Sequence, residues 1–379
     1  MDNRTACLCC FFCIVRKGAQ LAVFLAGAES FISITFVSFN PVTGQVIGSL
    51  SSGSVVAFNC CDVLAVQRGG AAPAFCRILA YVSNTNDNTI SVIDTATNTV
   101  IQTIPSGGNA PLDIALTPDG TRLVVNNQAT NTVSVIDTAT NAILAEVPVG
   151  SPELGLAITP DGRFAYSTSA TNNNITVIDL TTFTVTTVIQ EAPGSNPLGI
   201  AITPNGTTAY VVNQVAGTVG VIDTATNTIT QTITFLVGSA PNQVVISPDG
   251  SAAYVTAPGT STVVRIDTAT NTIAAEISGP AIPVGIAISP DGRTLYVTDL
   301  GNNTVSVIDT ATNTQIATIP GFSEPFRLAF TPDGSRSYVV NKSANTVSVV
   351  DTATNTIVST IPVGNNPTGI AIGRVCIPV

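Results

Sequence analysis

The 379-residue chain contains no histidine and no tryptophan, a single methionine, and only 9% charged residues. Each shortage excludes something. Without histidine, the usual general base and the commonest neutral metal ligand are gone. Lys and Arg number 13 against 23 Asp and Glu, a formal net charge of −10, and no basic cluster occurs. That balance leaves no electrostatic footprint for nucleic acid. No apolar run is long enough to span a bilayer as a helix, so no membrane span is expected. The sequence holds neither a G-x-S-x-G elbow nor a Cys–His pair, the arrangements that would activate a nucleophile. Catalysis is therefore not expected, and no cofactor or metal is implied.

What is present is β-forming. Hydrophobic residues make up 45% of the chain. They are mostly Val, Ile and Ala interleaved with Thr, Ser and Asn, a pattern that suits half-buried strands. One hexapeptide dominates. IDTATN occurs at 93–98, 136–141, 222–227, 266–271 and 308–313, as VDTATN at 350–355, and as a degenerate IDLTTF at 178–183. The anchoring Asp94, Asp137, Asp179, Asp223, Asp267, Asp309 and Asp351 are spaced by 43, 42, 44, 44, 42 and 42 residues. A period that steady defines a repeat architecture.

Within a period four short strands, A to D, alternate with turns. In the second copy they are 112–117, 122–126, 132–136 and 143–147. An x-P-D-G turn joins A to B; its proline presets φ and its glycine takes the left-handed position. It recurs at 118–120, 160–162, 248–250, 290–292 and 332–334, with Asn205 replacing Asp in another copy. In D-T-A-T-N the Asp accepts from turn amides and the Asn tolerates the left-handed conformation closing the C–D hairpin. Turn capping, rather than calcium ligation, accounts for the seven aspartates, since each turn offers one carboxylate. Four strands per unit of about 40–45 residues is the blade of a β-propeller.

Segments such as "SYVVNKSANTVSVVDTATNTIVSTIPVG" and "LYVTDLGNNTVSVIDTATNTQIATIPG" resemble YVTN-type β-propeller repeats over Leu79 to about Ile372. The resemblance implies an all-β, seven-bladed propeller of a kind common on bacterial and archaeal cell surfaces, and no single activity. Quinoprotein and haem propellers need tryptophan docking motifs or histidine ligands, which are missing here.

The repeat region opens on a B strand (79–83) and ends on an A strand (369–372). The last strand is therefore expected to complete the first blade, giving seven full blades with interlocked ends. Aligned on the second copy, Cys76 falls at the Asp119 position and Cys376 at the Gly120 position. A disulfide between them would clasp the ring, provided their Cα atoms lie within about 7 Å.

Residues 1–67 are read as a separate Cys-rich β module, 68–78 as a linker and 79–379 as the propeller. Strands are expected at 20–25, 31–39, 44–50, 54–59 and 62–67, as a small antiparallel barrel or sheet. The pattern "KGAQLAVFLAG…FVSFNPVTGQVIGSL…VVAF…CDVLAVQ" resembles Sm-like or spore-coat-type small β-barrels. Its Phe36–Leu50 segment also looks like a degenerate C–D hairpin, a relic of another blade. Arg16 and Lys17 flank a short apolar core ending in Ala26-Gly27-Ala28, but the apolar, Cys-rich stretch before them is wrong for a signal peptide. Cys7, Cys9, Cys10, Cys13, Cys60 and Cys61 lack paired zinc spacing. Disulfides suit them better, some between subunits, in an oxidising exterior location.

Departures from the repeat are the functional candidates. The position opening strand A is Gly155, Gly199, Gly285 and Gly369 in four copies, but Asp113, Gln243 and Arg327 in three. If strand A is innermost, these three side chains line one mouth of the central channel. Glu153, Glu191 and Glu324 belong to the same D–A loops, and Asp299 and Lys342 to B–C loops expected on that face. The expected function is a non-enzymatic, disulfide-linked surface or spore-coat protein. Its N-terminal module would drive self-assembly or anchoring and present the propeller to other surface proteins. The alternative is a binding propeller that captures a ligand or protein at the channel mouth.

Overall fold

The computed structural model describes residues 20–25, 32–40, 45–50, 55–59, 63–68, 74–150 and 154–378. The chain divides into two compact units, 1–76 with 376–379, and 77–375. The first holds five antiparallel strands: β1 (Gln20–Leu25), β2 (Ile32–Asn40), β3 (Gln45–Leu50), β4 (Val55–Asn59) and β5 (Val63–Arg68). They form one sheet in the order β4-β3-β2-β1-β5. The hairpin of β2 and β3 belongs to this sheet and not to a blade.

The second unit is a seven-bladed propeller. Blade 1 contains β6 (Ala74–Asn84), β7 (Thr89–Asp94) and β8 (Thr99–Pro105). Blade 2 contains β9 (Pro111–Leu116), β10 (Arg122–Asn127), β11 (Thr132–Asp137) and β12 (Ile143–Pro148). Blades 3 to 7 follow as β13–β16 (156–190), β17–β20 (197–234), β21–β24 (244–278), β25–β28 (283–319) and β29–β32 (325–362). The last strand, β33 (Pro367–Pro378), pairs with β6, so the sheet order of blade 1 is β33-β6-β7-β8. A strands touch the A strands of neighbouring blades and form the inner ring.

Burial explains the residue pattern. B and C strands are covered on both faces by adjacent blades, and β10, for example, is buried along nearly its whole length. Strands covered on both sides read as continuous apolar runs rather than as alternation. The outer D strands have one buried position, at or next to the C-terminal end, and otherwise largely face solvent, as in β8. Among the described residues the hydrophobic clusters of the propeller span two blades each. Tyr210, Val212 and Val219 of blade 4 pack with Val244, Val255 and Ile266 of blade 5. Ala80, Val82 and Ile93 of blade 1 pack with Tyr338, Val347 and Val349 of blade 7.

The turns carry their own chemistry. Every DTATN-type aspartate accepts N–H bonds from its own turn; Asp137 Oδ1 takes the amides of Ala139 (3.1 Å) and Thr140 (2.8 Å) and the Thr140 hydroxyl (2.8 Å). The first threonine of the turn reaches the x-P-D-G turn of the same blade, Thr138 Oγ1 donating to Gly120 O at 2.6 Å. In x-P-D-G, the preceding hydroxyl donates to the aspartate, as Thr117 does to Asp119 (2.6 Å). The last residue of each DTATN turn has a positive φ, 54° at Asn98 and 57° at Phe183.

The seam differs from the other blades in one respect. Elsewhere a turn forces strands A and B to stop. In blade 1 these strands come from opposite ends of the chain, so nothing ends them. Both run on, β6 starting at Ala74, within the stretch read from sequence as a linker, and β33 reaching Pro378. Cys76 and Cys376 oppose each other on these extensions, in strand rather than in a turn, and are joined by a disulfide with Cα atoms 4.0 Å apart.

Candidate functional site at the channel mouth

The inner ring begins as a packing problem. At the position opening strand A, the next blade approaches so closely that a Cβ on Gly155 would sit 2.1 Å from Leu198 O. On Gly285 it would sit 2.0 Å from Phe326 O, and on Gly369 2.3 Å from Leu112 O. Only glycine fits such an approach. The carbonyls in question are stapled by side chains from strand B of the preceding blade: Ser83 donates to Leu112 O (2.7 Å), Thr168 to Leu198 O and Thr298 to Phe326 O (2.9 Å).

The three non-glycine residues of this ring have separate fates. Asp113 and Arg327 meet, Arg327 Nη2 lying 3.5 Å from Asp113 Oδ2. Asp113 also accepts from the Leu156 (3.1 Å) and Ile114 (3.2 Å) amides. Burial pushes the Asp113 carboxyl above its ordinary range, against the opposing pull of the Arg327 guanidinium and those two amides. Gln243 is held through its backbone by Thr256 Oγ1 (3.0 Å), while its side-chain Oε1 is buried without a hydrogen-bond partner.

Asp113 and Arg327 line a cavity of about 110 Å³ whose other walls include Leu112, Leu154, Leu198, Asn242 and Phe326. Small-molecule sites usually occupy some 300–1,000 Å³. This mouth is therefore sized for one small group or side chain, with a mostly aliphatic wall and one ion pair.

The remaining candidates do not converge there. Glu324 sits at a positive φ of 48°, its N–H bonded to Asn303 Oδ1 at 2.8 Å. Asp299 is buried and accepts from the amides of Ala281 (2.8 Å), Ile282 (2.9 Å) and Gly301 (3.1 Å) and from Asn302 Nδ2 (2.9 Å). Burial opposes its ionisation, but these donors win and hold its carboxyl below the usual range. It is a loop clamp. Lys342 and Arg327 both lie over the Phe326 ring, at 5.3 and 5.9 Å. Glu191 is buried under its loop. Glu153 and the cysteines at 7, 9, 10, 13, 60 and 61 fall outside the described residues.

Among the described residues no group of His, Cys, Asp or Glu is placed to hold a metal ion, and no helix is long and apolar enough to cross a membrane. Arg265 stands where the six other copies carry valine, a departure visible in alignment of the copies but not among the candidates read from sequence. Glu191 is among them, but its burial against strand C of blade 4 depends on the fold.

Fold and inner ring together define a seven-bladed β-propeller closed by its C-terminal strand. Residues 50–372 match the model of the YNCE-like beta-propeller family, and the chain belongs to that family. Among solved structures it is similar to a functionally unknown protein from Desulfotomaculum acetoxidans, with 22% identity, TM-score 0.69, and coverage of 79% of this chain and 99% of that one. Hydrazine synthase of Kuenenia stuttgartiensis gives 24% identity and TM-score 0.63 over 69% of this chain and 89% of that one. A streptogramin B lyase gives 21% and 0.62 over 77% and 91%. At these identities the likeness is one of fold, and it joins proteins of diverse function. No match was found among the curated proteins.

Proposed function

We propose that this chain is a non-enzymatic display protein of an oxidising, cell-exterior setting. In this reading residues 1–67 assemble or anchor, with Cys7, Cys9, Cys10, Cys13, Cys60 and Cys61 forming links between copies, and the propeller is presented. The observation that carries it is the Cys76–Cys376 disulfide across 300 residues. Persistent structural disulfides belong to secreted and surface proteins. The absence of histidine supports the non-enzymatic part. Electron microscopy and non-reducing gels of the purified full chain test the reading. Reductant-sensitive multimers are expected; a uniform monomer under oxidising conditions overturns it.

A second reading, of ligand or protein binding at the channel mouth, is favoured by one observation. Asp113 and Arg327 replace glycine in the inner ring and place an ion pair in a cavity of about 110 Å³. That size suits a side chain of a partner protein better than a free metabolite. Replacing both by the glycine found in other blades removes the pair without leaving a lone buried charge. Binding of a surface extract or peptide library should be lost in that double variant while multimers persist. Binding that survives it removes this reading.

A further inference from the structure

The groove between blades 5 and 6, on the face that carries the turns, departs from the repeat in three places. Strand B faces strand C through a fixed pair, and the C-strand member is valine in six blades, from Val92 in the first to Val349 in the last. In blade 5 it is Arg265, opposite Tyr254. Two positions before the tyrosine, where other blades carry residues up to the size of Phe164 or Arg336, blade 5 has Ala252. A small residue and a long one have exchanged the space. The result is a cavity of about 310 Å³ lined by Arg265, Tyr254, Asp249, Asp291, Ser251 and Ala252 among others. That is nearly three times the channel cavity and within the range of small-molecule sites.

The third departure is in the bonding. Tyrosines of blades 3, 4, 6 and 7 donate to the last asparagine of the next blade's turn. In blade 5, Tyr254 stands opposite Arg265 in the strand pair, and the matching Asn313 Oδ1 is left buried and unpartnered, as Asn141 Oδ1 is opposite blade 1. Arg265 Nε is likewise buried without a hydrogen-bond partner. Neither Asp249 nor Asp291 forms a salt bridge with it. The turn donors Ser289 and Arg293 N–H occupy Asp291 Oδ1 and leave Oδ2.

We propose that this groove is a binding site for a neutral polyhydroxylated ring, a saccharide. Ligands of other classes fit it worse. An anion would pair with Arg265 but face two carboxylates. A cation would pair with the aspartates but face the guanidinium. An apolar ligand would bury unsatisfied polar groups, at a cost. A sugar's hydroxyls both donate and accept, so one ring can take the Arg265 donors and supply the Asp291 Oδ2 acceptor at once. The site is separate from the channel mouth and does not depend on how the chain assembles.

Saturation-transfer NMR on the full chain with glucose, galactose, mannose and N-acetylglucosamine tests this. At least one should show transfer, and Arg265→Val should weaken it by about tenfold or more, the loss of one charge-assisted hydrogen bond. Six blades carry valine there, so the variant is expected to fold, which its melting curve checks. Asp291→Asn should weaken the same ligand. Absence of transfer from all four sugars overturns the proposal, as does binding unchanged in Arg265→Val. Stronger binding of acetate or ethylamine than of any sugar also overturns the ligand class.

Discussion

Tyr338 donates its hydroxyl to Asn98 Oδ1 at 2.6 Å across 240 residues of sequence, joining the last blade to the first. The same bond links Tyr166 to Asn227 and Tyr210 to Asn271, both at 2.6 Å, and Tyr296 to Asn355. It is a repeat between blades rather than within one. Between blades 2 and 3 the sequence has changed at both ends, whereas the pairs Tyr81 with Asn141 and Tyr254 with Asn313 keep their residues without the bond. Blade 2 has Val124 in place of the tyrosine, and the turn of blade 3 ends in Phe183, both in one apolar cluster. Replacing both partners by apolar groups is nearly neutral, whereas removing one strands a buried acceptor. Tyr338→Phe should therefore cost about 1–3 kcal/mol in urea unfolding. A double-mutant cycle with Asn98→Gly, which keeps the left-handed turn, should show coupling between the two. Full additivity would mean the bond contributes nothing at the seam.

All six tyrosines are held neutral by their surroundings. Burial is the main cause, and it raises the phenols of Tyr166, Tyr210, Tyr296 and Tyr338 to about 12, with Tyr81 and Tyr254 also raised. A raised folded value means the contribution to stability is complete below the unfolded value of 10.0 and is lost as pH climbs from there. Stability should fall from about pH 10 towards pH 12. Tyrosinate absorbance should rise together with loss of β circular dichroism. Ionisation of several tyrosines in a still-folded ring would contradict this.

The Cys76–Cys376 bridge closes a loop of 300 residues. In the chain-entropy model such a crosslink contributes about 6 kcal/mol, acting on the unfolded state. Replacing both cysteines by alanine should lower the melting temperature and permit unfolding to start at blade 1, whose two ends are otherwise held by strand pairing and by hydrogen bonds such as those of Ser83 and Thr85 to Thr368. Hydrogen exchange should show lost protection in β6 and β33 first. Equal protection across all blades in the variant would place the weak point elsewhere.

The fold was legible because each of its rules is local and repeated. The x-P-D-G and DTATN turns announce their hairpins, and the offset of one strand between the two ends announces the closure. The extension of β6 and β33 was not legible, because it follows from the lack of a turn between residues that are neighbours only in space. The channel mouth was partly so. Alignment of the copies singles out Asp113, Gln243 and Arg327, but only the ring shows that Arg327 reaches Asp113 while Gln243 does not join them. Glu191 was harder still. It looks like one more loop carboxylate until the strand it enters is known.

That strand, β19 (Thr218–Asp223), lacks one serine hydroxyl. In blades 1, 2 and 7 an asparagine donates to a serine on strand C: Asn84 to Ser91 (3.0 Å), Asn127 to Ser134 (2.7 Å) and Asn341 to Ser348 (2.8 Å). Blade 4 keeps Asn213 but has Gly220 in the serine position. The Glu191 side chain fills the space, with Oε1 2.5 Å from where a Gly220 Cβ would stand. Its exposure is 6%, and Oε1 has no hydrogen-bond partner. Burial raises its carboxyl above the usual range, and the Asn213 amide and Ala192 N–H only partly offset this. A raised value means that its contribution is fully present below the unfolded value of 4.5 and is lost as pH rises. Glu191→Gln should thus raise the urea midpoint at about pH 7 and leave it unchanged near pH 4. Gly220→Ser alone should destabilise, since the new Cβ meets both Glu191 and Val211 Cγ1 at 2.9 Å. Combined with Glu191→Ser it should recover, because the pair then restores the arrangement of blade 1, which has Ser106 and Ser91 at these positions. A double variant no better than Gly220→Ser would show that Glu191 is not what occupies the missing serine's place.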